Sequence, residues 1–239
     1  MKTKLALILI GLAVSCVATS AQSVVITGKK VTYTRPKPIS EGKETFTINY
    51  PKVKASTPAL SKKIETAISY GIDLKEEIND AQWLYEADYE VGYNRNGVLS
   101  IALTVDGSGA YPSGYTTHKV VDLKTGRRVQ PSDVFKDLPG LLKQLRKAKD
   151  KEVAQAIIDI KKDPENAEPH PEALFKEHAK YNPLKLNDFS VGEKGVIFFY
   201  DYGFPHVIEA LQPPGEFVFT WKQLKPYIKT GSLLSRIAR

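Results

Sequence analysis

The stretch that decides the fold is VVDLKTGRRVQPSDVF, residues Val120–Phe135 of a chain of 239 residues. Its first residues continue an apolar segment, and we expect a β-strand from Tyr115 to Leu123. Lys124-Thr125-Gly126 is typical of the turn that ends such a strand. Helical spacing of leucines begins at Leu138. The stretch therefore marks the passage from a strand-rich part of the chain to a helical part.

Two alternating segments precede this stretch and predict a β-hairpin around Asn94-Arg95-Asn96-Gly97. A two-residue loop at Asn96-Gly97 would place the two apolar sets on opposite faces, because a slip of one residue exchanges the faces. A three-residue loop, Arg95 to Gly97, pairs Tyr93 with Leu99 and keeps the apolar sets together. We therefore predict the three-residue loop, Val91 opposite Ile101, Tyr89 opposite Leu103, and a left-handed Gly97 in a bulged turn.

The order of elements predicts an α+β fold, an antiparallel sheet packed on one side by helices, with a smaller N-terminal strand–helix unit. Thr57 and Pro58 indicate the start of a helix. The other predicted elements are a strand at Glu44–Tyr50, one long helix or two ending before Pro164, a loop at Asp163–Pro171, a helix at Pro171–Tyr181, strands at Asp188–Val191 and Val196–Tyr202, and a last strand at Phe217–Trp221 followed by a short helix at Lys222–Ile228. We divide the chain into residues 1–21, a signal peptide, 22–82, a lead-in with a small companion domain, and 83–239, a C-terminal α+β domain.

The order of several short motifs resembles one protein family. These are Asn96–Ser100, the Gly107–Gly114 loop, Asp122–Gly126, Pro131–Phe135, Gly195–Tyr200 and Phe217–Phe219, with Thr45–Tyr70 similar to the companion domain. The chain resembles the domain-of-unknown-function family at the C-terminal end of the lysozyme-sensing anti-sigma factor RsiV and of the peptidoglycan deacetylase PdaC. The resemblance implies an RsiV-like α+β domain in the cell envelope.

The chain departs from that family where function is concerned. Relatives carry a histidine in the glycine-rich loop, where this chain has Gly107–Gly114 without one. The separate deacetylase domain is absent, and so are the sensor's transmembrane helix and sigma-binding segment. Lysozyme binding is an alternative function implied by the resemblance, although a basic protein repels basic lysozyme at long range.

The first residues are typical of an export signal. Lys2 and Lys4 precede the apolar run Leu5–Val14, and Ala18–Ala21 offers small residues for signal peptidase. The run is too short to cross a bilayer, so we expect a mature periplasmic or extracellular protein that starts at Gln22 and has no transmembrane helix. The alternative is a lipoprotein anchored at Cys16, the only cysteine.

The formal net charge is +7, and subtracting Lys2 and Lys4 leaves +5. The cations are dispersed, and no basic run is interleaved with aromatic residues, so we expect no nucleic-acid partner. A mild positive charge favours an anionic polymer of the cell envelope through long-range steering.

The four histidines have no zinc-binding spacing such as His-Glu-x-x-His, and no nucleophile motif such as Gly-x-Ser-x-Gly is present. Asp201 and His206 lie at the end of a predicted strand and are the one pair suited to acid–base catalysis. We predict no catalytic residue, no metal and no cofactor. The alternative is a hydrolase or deacetylase of peptidoglycan that uses Asp201 and His206.

Aromatic residues near two loops are the better candidates for binding, because a ring supplies rigid contact area with a polar tip. The candidate ligand-binding residues are Tyr111, Tyr115, Tyr200, Asp201, Tyr202 and His206. Tyr111, between Gly109 and Pro112, is the best candidate for an exposed anchor. We therefore expect an exported, non-catalytic envelope protein that binds a cell-wall glycan or an envelope or host protein through loop 106–115 and segment 200–206.

Overall fold

The computed structural model describes residues 23–39, 43–109, 111–163 and 170–238, and for residues 177–181 it describes the backbone alone. The predicted signal peptide and Cys16 therefore lie outside the described residues. So do residues 164–169, which make up most of the loop predicted before the helix at Pro171.

The first half of the chain forms a six-stranded sheet in sequential order. Its elements are β1 Val25–Thr34, β2 Thr45–Lys54, α1 Pro58–Ala67, α2 Leu74–Asn79, β3 Leu84–Arg95, β4 Val98–Ser108, β5 Pro112–Asp122 and β6 Arg127–Arg128. Neighbouring strands are antiparallel except β2 and β3, which are parallel. The parallel pair follows from the connection, because α1 and α2 carry the chain back before β3 begins.

The second half forms a three-stranded antiparallel sheet and most of the helices. Its elements are α3 Pro131–Val134, α4 Leu138–Lys162, α5 Pro171–Tyr181, β7 Phe189–Val191, β8 Gly195–Phe199, a 3₁₀ helix His206–Leu211, β9 Glu216–Thr220, α6 Trp221–Leu224 and a 3₁₀ helix Leu234–Arg236. The α+β prediction is confirmed. A single helix, α4, occupies the place where one or two were expected. The division at residue 82 stays a prediction, and β1 and β2 are hydrogen-bonded into the same sheet as β3.

The stretch Val120–Phe135 is held by local hydrogen bonds. The Asp122 carboxylate accepts a hydrogen bond from the Lys124 amide at 2.8 Å, and Gly126 is left-handed with φ of 71°. The Asp133 carboxylate then accepts from the Gln130 amide at 2.7 Å, at the start of α3. Phe135 ends the stretch in the core with 1% of its surface exposed. These polar residues therefore fix a turn and a helix start.

The β3–β4 hairpin corrects the predicted loop. Gly97 is left-handed as expected, with φ of 77°, but Asn96 is left-handed too, so the loop has two residues and Tyr93 lies opposite Ser100 instead of Leu99. A bulge between Val91 and Tyr93 then restores the predicted pairs, Val91 with Ile101 and Tyr89 with Leu103. The bulge was missed because Gly92 can accommodate an extra residue that the alternation pattern does not reveal.

Both faces of β4 are buried. Leu99, Ile101 and Leu103 of β4 pack in the cluster beneath α1. Val98 packs on the other face, in the larger cluster with β7–β9 and α4. The Ser100 hydroxyl accepts a hydrogen bond from the Val191 amide at 2.9 Å, which joins the two sheets. The β4–β5 hairpin is therefore buried near Val120 and Val121, whereas residues 112–116 of β5, toward its tip, are exposed.

Candidate functional site

Tyr111 lies at the tip of the β4–β5 hairpin and is 60% exposed. Its ring stacks on the His206 imidazole with the ring centroids 5.1 Å apart and the planes inclined by 25°. This ring pair therefore joins loop 106–115 to segment 200–206, and the binding role of the candidate residues stays a prediction. We call Tyr111, His206, Tyr115 and Trp83 the aromatic tip.

The His206 side chain is held at the start of the 3₁₀ helix His206–Leu211. Its Nδ1 lies 3.2 Å from Glu209 Oε2, one turn along that helix. The Gln212 side chain accepts a hydrogen bond from the Phe204 amide at 2.9 Å, which closes the segment. Glu209 was not among the predicted residues. The signal that could have found it is its spacing of three residues from His206 on a helix.

Tyr115 does not join the Tyr111 pair. It stacks instead on Trp83, with centroids 6.1 Å apart and planes inclined by 12°, and it is 49% exposed. Trp83 Nε1 donates a hydrogen bond to Ser113 Oγ at 3.2 Å. A Cβ at Gly107 would collide with the Trp83 carbonyl and indole. The glycine therefore lets Trp83 lie across the hairpin, a role that the sequence pattern did not reveal.

A buried ion pair supports the backbone on which Trp83 lies. The Arg35 guanidinium is fully buried, donates to the Leu84 carbonyl at 2.8 Å and lies 3.6 Å from Glu77 Oε2. That Glu77 oxygen accepts hydrogen bonds from the Trp83 and Leu84 amides, each at 3.0 Å. Burial lowers the pKa of Arg35 from its ordinary value, and Glu77 opposes the shift. Sequence reasoning missed this pair, because nothing local marks a buried arginine.

Tyr200 and Tyr202 lie in the core, with 6% and 3% of their surfaces exposed. The Tyr200 hydroxyl donates to the Asn182 carbonyl and the Tyr202 hydroxyl to Glu152, both at 2.8 Å. Burial raises the pKa of both phenols, and the hydrogen bond to Glu152 raises that of Tyr202 further. Their rings therefore anchor segment 200–206 and offer no exposed platform.

Asp201 fixes a turn at the end of the same segment. Its Oδ1 accepts a hydrogen bond from the Gly203 amide at 2.7 Å, and its carbonyl accepts one from the Asn182 side chain. This turn also explains why β8 ends at Phe199, before the predicted end at Tyr202. The Asp201 carboxylate and the His206 imidazole thus have different hydrogen-bond partners.

His118 joins the two sheets. Its Nδ1 lies 3.0 Å from Asp188 Oδ1, and its ring stacks on Phe199 with centroids 3.4 Å apart. His170 is exposed at the start of α5, and the His178 side chain is outside the described part of the chain. Among the described residues no three His, Cys, Asp or Glu side chains are grouped so that they could hold a metal ion. Within the same residues no helix has the length and apolar character needed to cross a membrane.

Comparison with known proteins yields structural neighbours only. No family model matches the sequence, and no curated protein matches it. Six solved chains are similar in structure. One is a DUF3298 family member from Bacteroides fragilis, with a TM-score of 0.58 and 14% identity over 91% of this chain and 98% of that chain. Another is a DUF3298 family protein from Pseudomonas aeruginosa, with a TM-score of 0.46 and 15% identity over 87% and 95%. The first likeness shows that this chain shares the fold of a DUF3298 protein, a family defined without a function.

Proposed function

We propose that the protein is an exported, non-catalytic member of a domain-of-unknown-function family such as DUF3298, and that it binds a ligand of the cell envelope through the aromatic tip. The observation that supports this proposal is the stack of Tyr111 on His206 at an exposed hairpin tip. The ligand is a cell-wall glycan or an envelope or host protein.

The tip has the properties of a preformed anchor. One face of the Tyr111 ring rests on the imidazole, so the ring loses little freedom when a ligand covers its exposed side. His206 is fixed in turn by Glu209, and Tyr115 by Trp83. Aromatic side chains of this kind dominate binding energy at many interfaces. The buried Arg35–Glu77 pair holds the backbone of Trp83, whereas His206 and Glu209 are themselves exposed.

The predicted export signal supports a function outside the cytoplasm. Cleavage after Ala21 gives a periplasmic or extracellular protein, and acylation of Cys16 gives a lipoprotein. Mass spectrometry of the mature N-terminus separates the two: a first residue of Gln22 supports the free protein, and a diacylglycerol adduct on Cys16 contradicts it.

A retention assay tests the binding proposal. The purified mature protein is incubated with insoluble peptidoglycan and, separately, with immobilised lysozyme, and the muropeptides are profiled afterwards. We expect retention on one matrix with unchanged muropeptides. His206→Ala, which removes the support of Tyr111, should weaken retention. Ile158→Ala, which truncates an exposed apolar side chain on α4, should not.

Altered muropeptides would contradict the non-catalytic proposal and favour a hydrolase or deacetylase. Equal loss of retention in His206→Ala and Ile158→Ala would contradict the aromatic tip as the binding surface. Retention on lysozyme alone would identify a protein ligand, and retention on peptidoglycan alone a glycan. Retention on neither would leave the proposal without support.

A further inference from the structure

A broad groove lies at the opposite end of β5 from the aromatic tip. It has a volume of about 1150 Å³ and runs between α1 and the turn that joins β5 to β6. Five of its lining residues are cationic and none is acidic: Lys62, Lys63, Lys124, Arg127 and Arg128. We call this the basic groove. Since the whole chain carries a net charge of +7, the groove concentrates much of the excess positive charge in one place.

The charges of the basic groove are not neutralised within the described residues. None of its five cations takes part in a salt bridge there. Among the nearby acids, Glu65 accepts the Val53 amide and pairs with Lys52. Asp122 and Asp133 line the neighbouring pocket with Arg127 and Arg128, and Asp122 accepts the Lys124 amide within the turn. Burial lowers the pKa of Lys119, and the positive charge of Arg128 lowers it further. The five cations of the groove therefore outnumber the three nearby acids, and the groove carries a net positive charge.

The floor of the basic groove is apolar. Leu60, Ala59 and Ala67 lie between the cations, and no aromatic residue lines the groove. Single-stranded nucleic acids are bound by stacking bases on aromatic rings, so this lining does not suit them. An aliphatic floor with a cationic rim suits a ligand that carries both apolar side chains and carboxylates.

The walls of the basic groove are fixed in place. Gly126 is left-handed, and a Cβ built on it would lie 2.8 Å from Lys63 Cβ and 3.2 Å from Leu60 Cδ1. The turn thus packs directly on α1. Asp122 closes the same turn by accepting hydrogen bonds from the Lys124 amide and the Thr125 hydroxyl. Because both walls are rigid, a ligand is not required to order them on binding.

We propose that the basic groove binds an acidic amphipathic peptide segment of a partner protein. The carboxylates pair with the cationic rim, and aliphatic side chains lie on the floor at Leu60 and Ala67. The ten residues of α1 make the groove about 15 Å long, enough for a short helix or an extended segment of about five residues. The eleven residues of β5 place it about 30 Å from the aromatic tip, so this site is independent of the function proposed there.

Fluorescence anisotropy with the full mature chain tests the proposal. The probe is a labelled ten-residue peptide with Leu on one helix face and Glu at the positions that flank this face, and its matched control has Ser in place of each Leu. We expect the Glu–Leu peptide to bind more tightly at about 0.15 M salt and to weaken as salt rises. The double variant Lys62→Gln, Arg127→Gln should weaken binding about tenfold or more, because it removes two charge-assisted contacts.

The variant Lys222→Gln, Lys225→Gln is the matched control, because it removes two exposed charges from α6 and its cap. Binding should stay within about twofold there. Equal losses in both double variants, equal binding of the Glu–Ser peptide, or no binding of either peptide would overturn the proposal. Tighter binding of a heparin fragment or a single-stranded oligonucleotide would overturn it in favour of a different polyanion. Tyr111→Ala should leave peptide binding unchanged, and a loss there would contradict two independent sites.

Discussion

The two ends of β5 are held in place by different kinds of contact. At the Asp122 end, a carboxylate and a left-handed Gly126 fix the turn on α1. At the other end, Tyr111 and Tyr115 are held by stacking on His206 and Trp83. The turn is built from hydrogen bonds between neighbours in sequence, whereas the tip depends on residues far away in the chain.

This difference explains why Val120–Phe135, which identifies the fold, is distinct from the segment that carries Tyr111, through which we propose that the protein binds its ligand. The Asp122 and Asp133 carboxylates of Val120–Phe135 accept hydrogen bonds from amides close in sequence, and Phe135 is buried. Tyr111 carries an exposed ring that the core does not use. Structure and proposed function thus occupy opposite ends of one strand.

Arg35→Ala should produce the largest loss of stability, and it acts at the end of β5 that carries the aromatic tip. It leaves the Glu77 carboxylate and the Leu84 carbonyl without their buried partner. We expect a loss of about 3 to 5 kcal/mol in the free energy of unfolding, as when one partner of a buried pair is removed. Urea unfolding measures it.

The control is Lys30→Ala, which breaks a pair with Glu86 at 3.1 Å whose side chains are 65% and 49% exposed. That change should cost less than about 1 kcal/mol. Similar losses for Arg35→Ala and Lys30→Ala would contradict a structural role for the buried pair beneath Trp83.

Gly126→Ala tests the contact between α1 and the turn at the other end of β5. The alanine is strained at φ of 71°, and its Cβ meets Lys63 and Leu60. Gly71 is the matched control, since its φ is 76° and a Cβ there has nothing within 4 Å. Gly71→Ala should cost about 1 to 2 kcal/mol for left-handed strain, and Gly126→Ala about 1 to 3 kcal/mol more for overpacking. Equal costs would mean that the turn does not rest firmly on α1.

The stability of the protein at alkaline pH tests whether the Tyr202 phenol of segment 200–206 is buried. Burial raises the pKa of Tyr50, Tyr70 and Tyr202 above the ordinary value of 10.0. Because the unfolded chain ionises first, their contribution to stability is complete below about pH 10 and is lost as pH rises above it. Tyr202→Phe should cost about 1 kcal/mol at pH 8 by removing a hydrogen bond, and should make the alkaline loss shallower. A steeper or unchanged loss would contradict the burial of this phenol.

Much of the fold was predictable, because local patterns carry it. Thr57 Oγ1 accepts the Leu60 amide at 3.2 Å, as the N-cap prediction required, and α5 spans Pro171–Tyr181 as expected. The hairpin loop was wrong, because a bulge between Val91 and Tyr93 changes the register without breaking the alternation. The sequence did not predict that β7–β9 form a second sheet packed on the first, because this packing depends on long-range contacts such as the hydrogen bond between Ser100 and Val191.

The candidate site was predictable in part, for the same reason. Tyr111 was singled out by its glycine and proline neighbours, and it is exposed. Its contact with His206 joins residues 95 positions apart, which a sequence pattern cannot show. Tyr200 was a binding candidate because it ends a predicted strand next to a loop, yet its ring lies in the core. Trp83 was missed because its role arises from stacking on Tyr115, which is distant in sequence. Glu209 was missed because no periodicity marks the short helix that brings it next to His206.

The most direct test of the account is Tyr111→Ala, measured for retention on peptidoglycan and on lysozyme and for urea unfolding in the same preparation, with Ile158→Ala beside it. We predict that Tyr111→Ala loses retention while its free energy of unfolding stays within about 0.5 kcal/mol of the parent, as expected for an exposed side chain. Unchanged retention, or a loss of several kcal/mol in stability, would contradict the claim that the tip serves binding and not the fold.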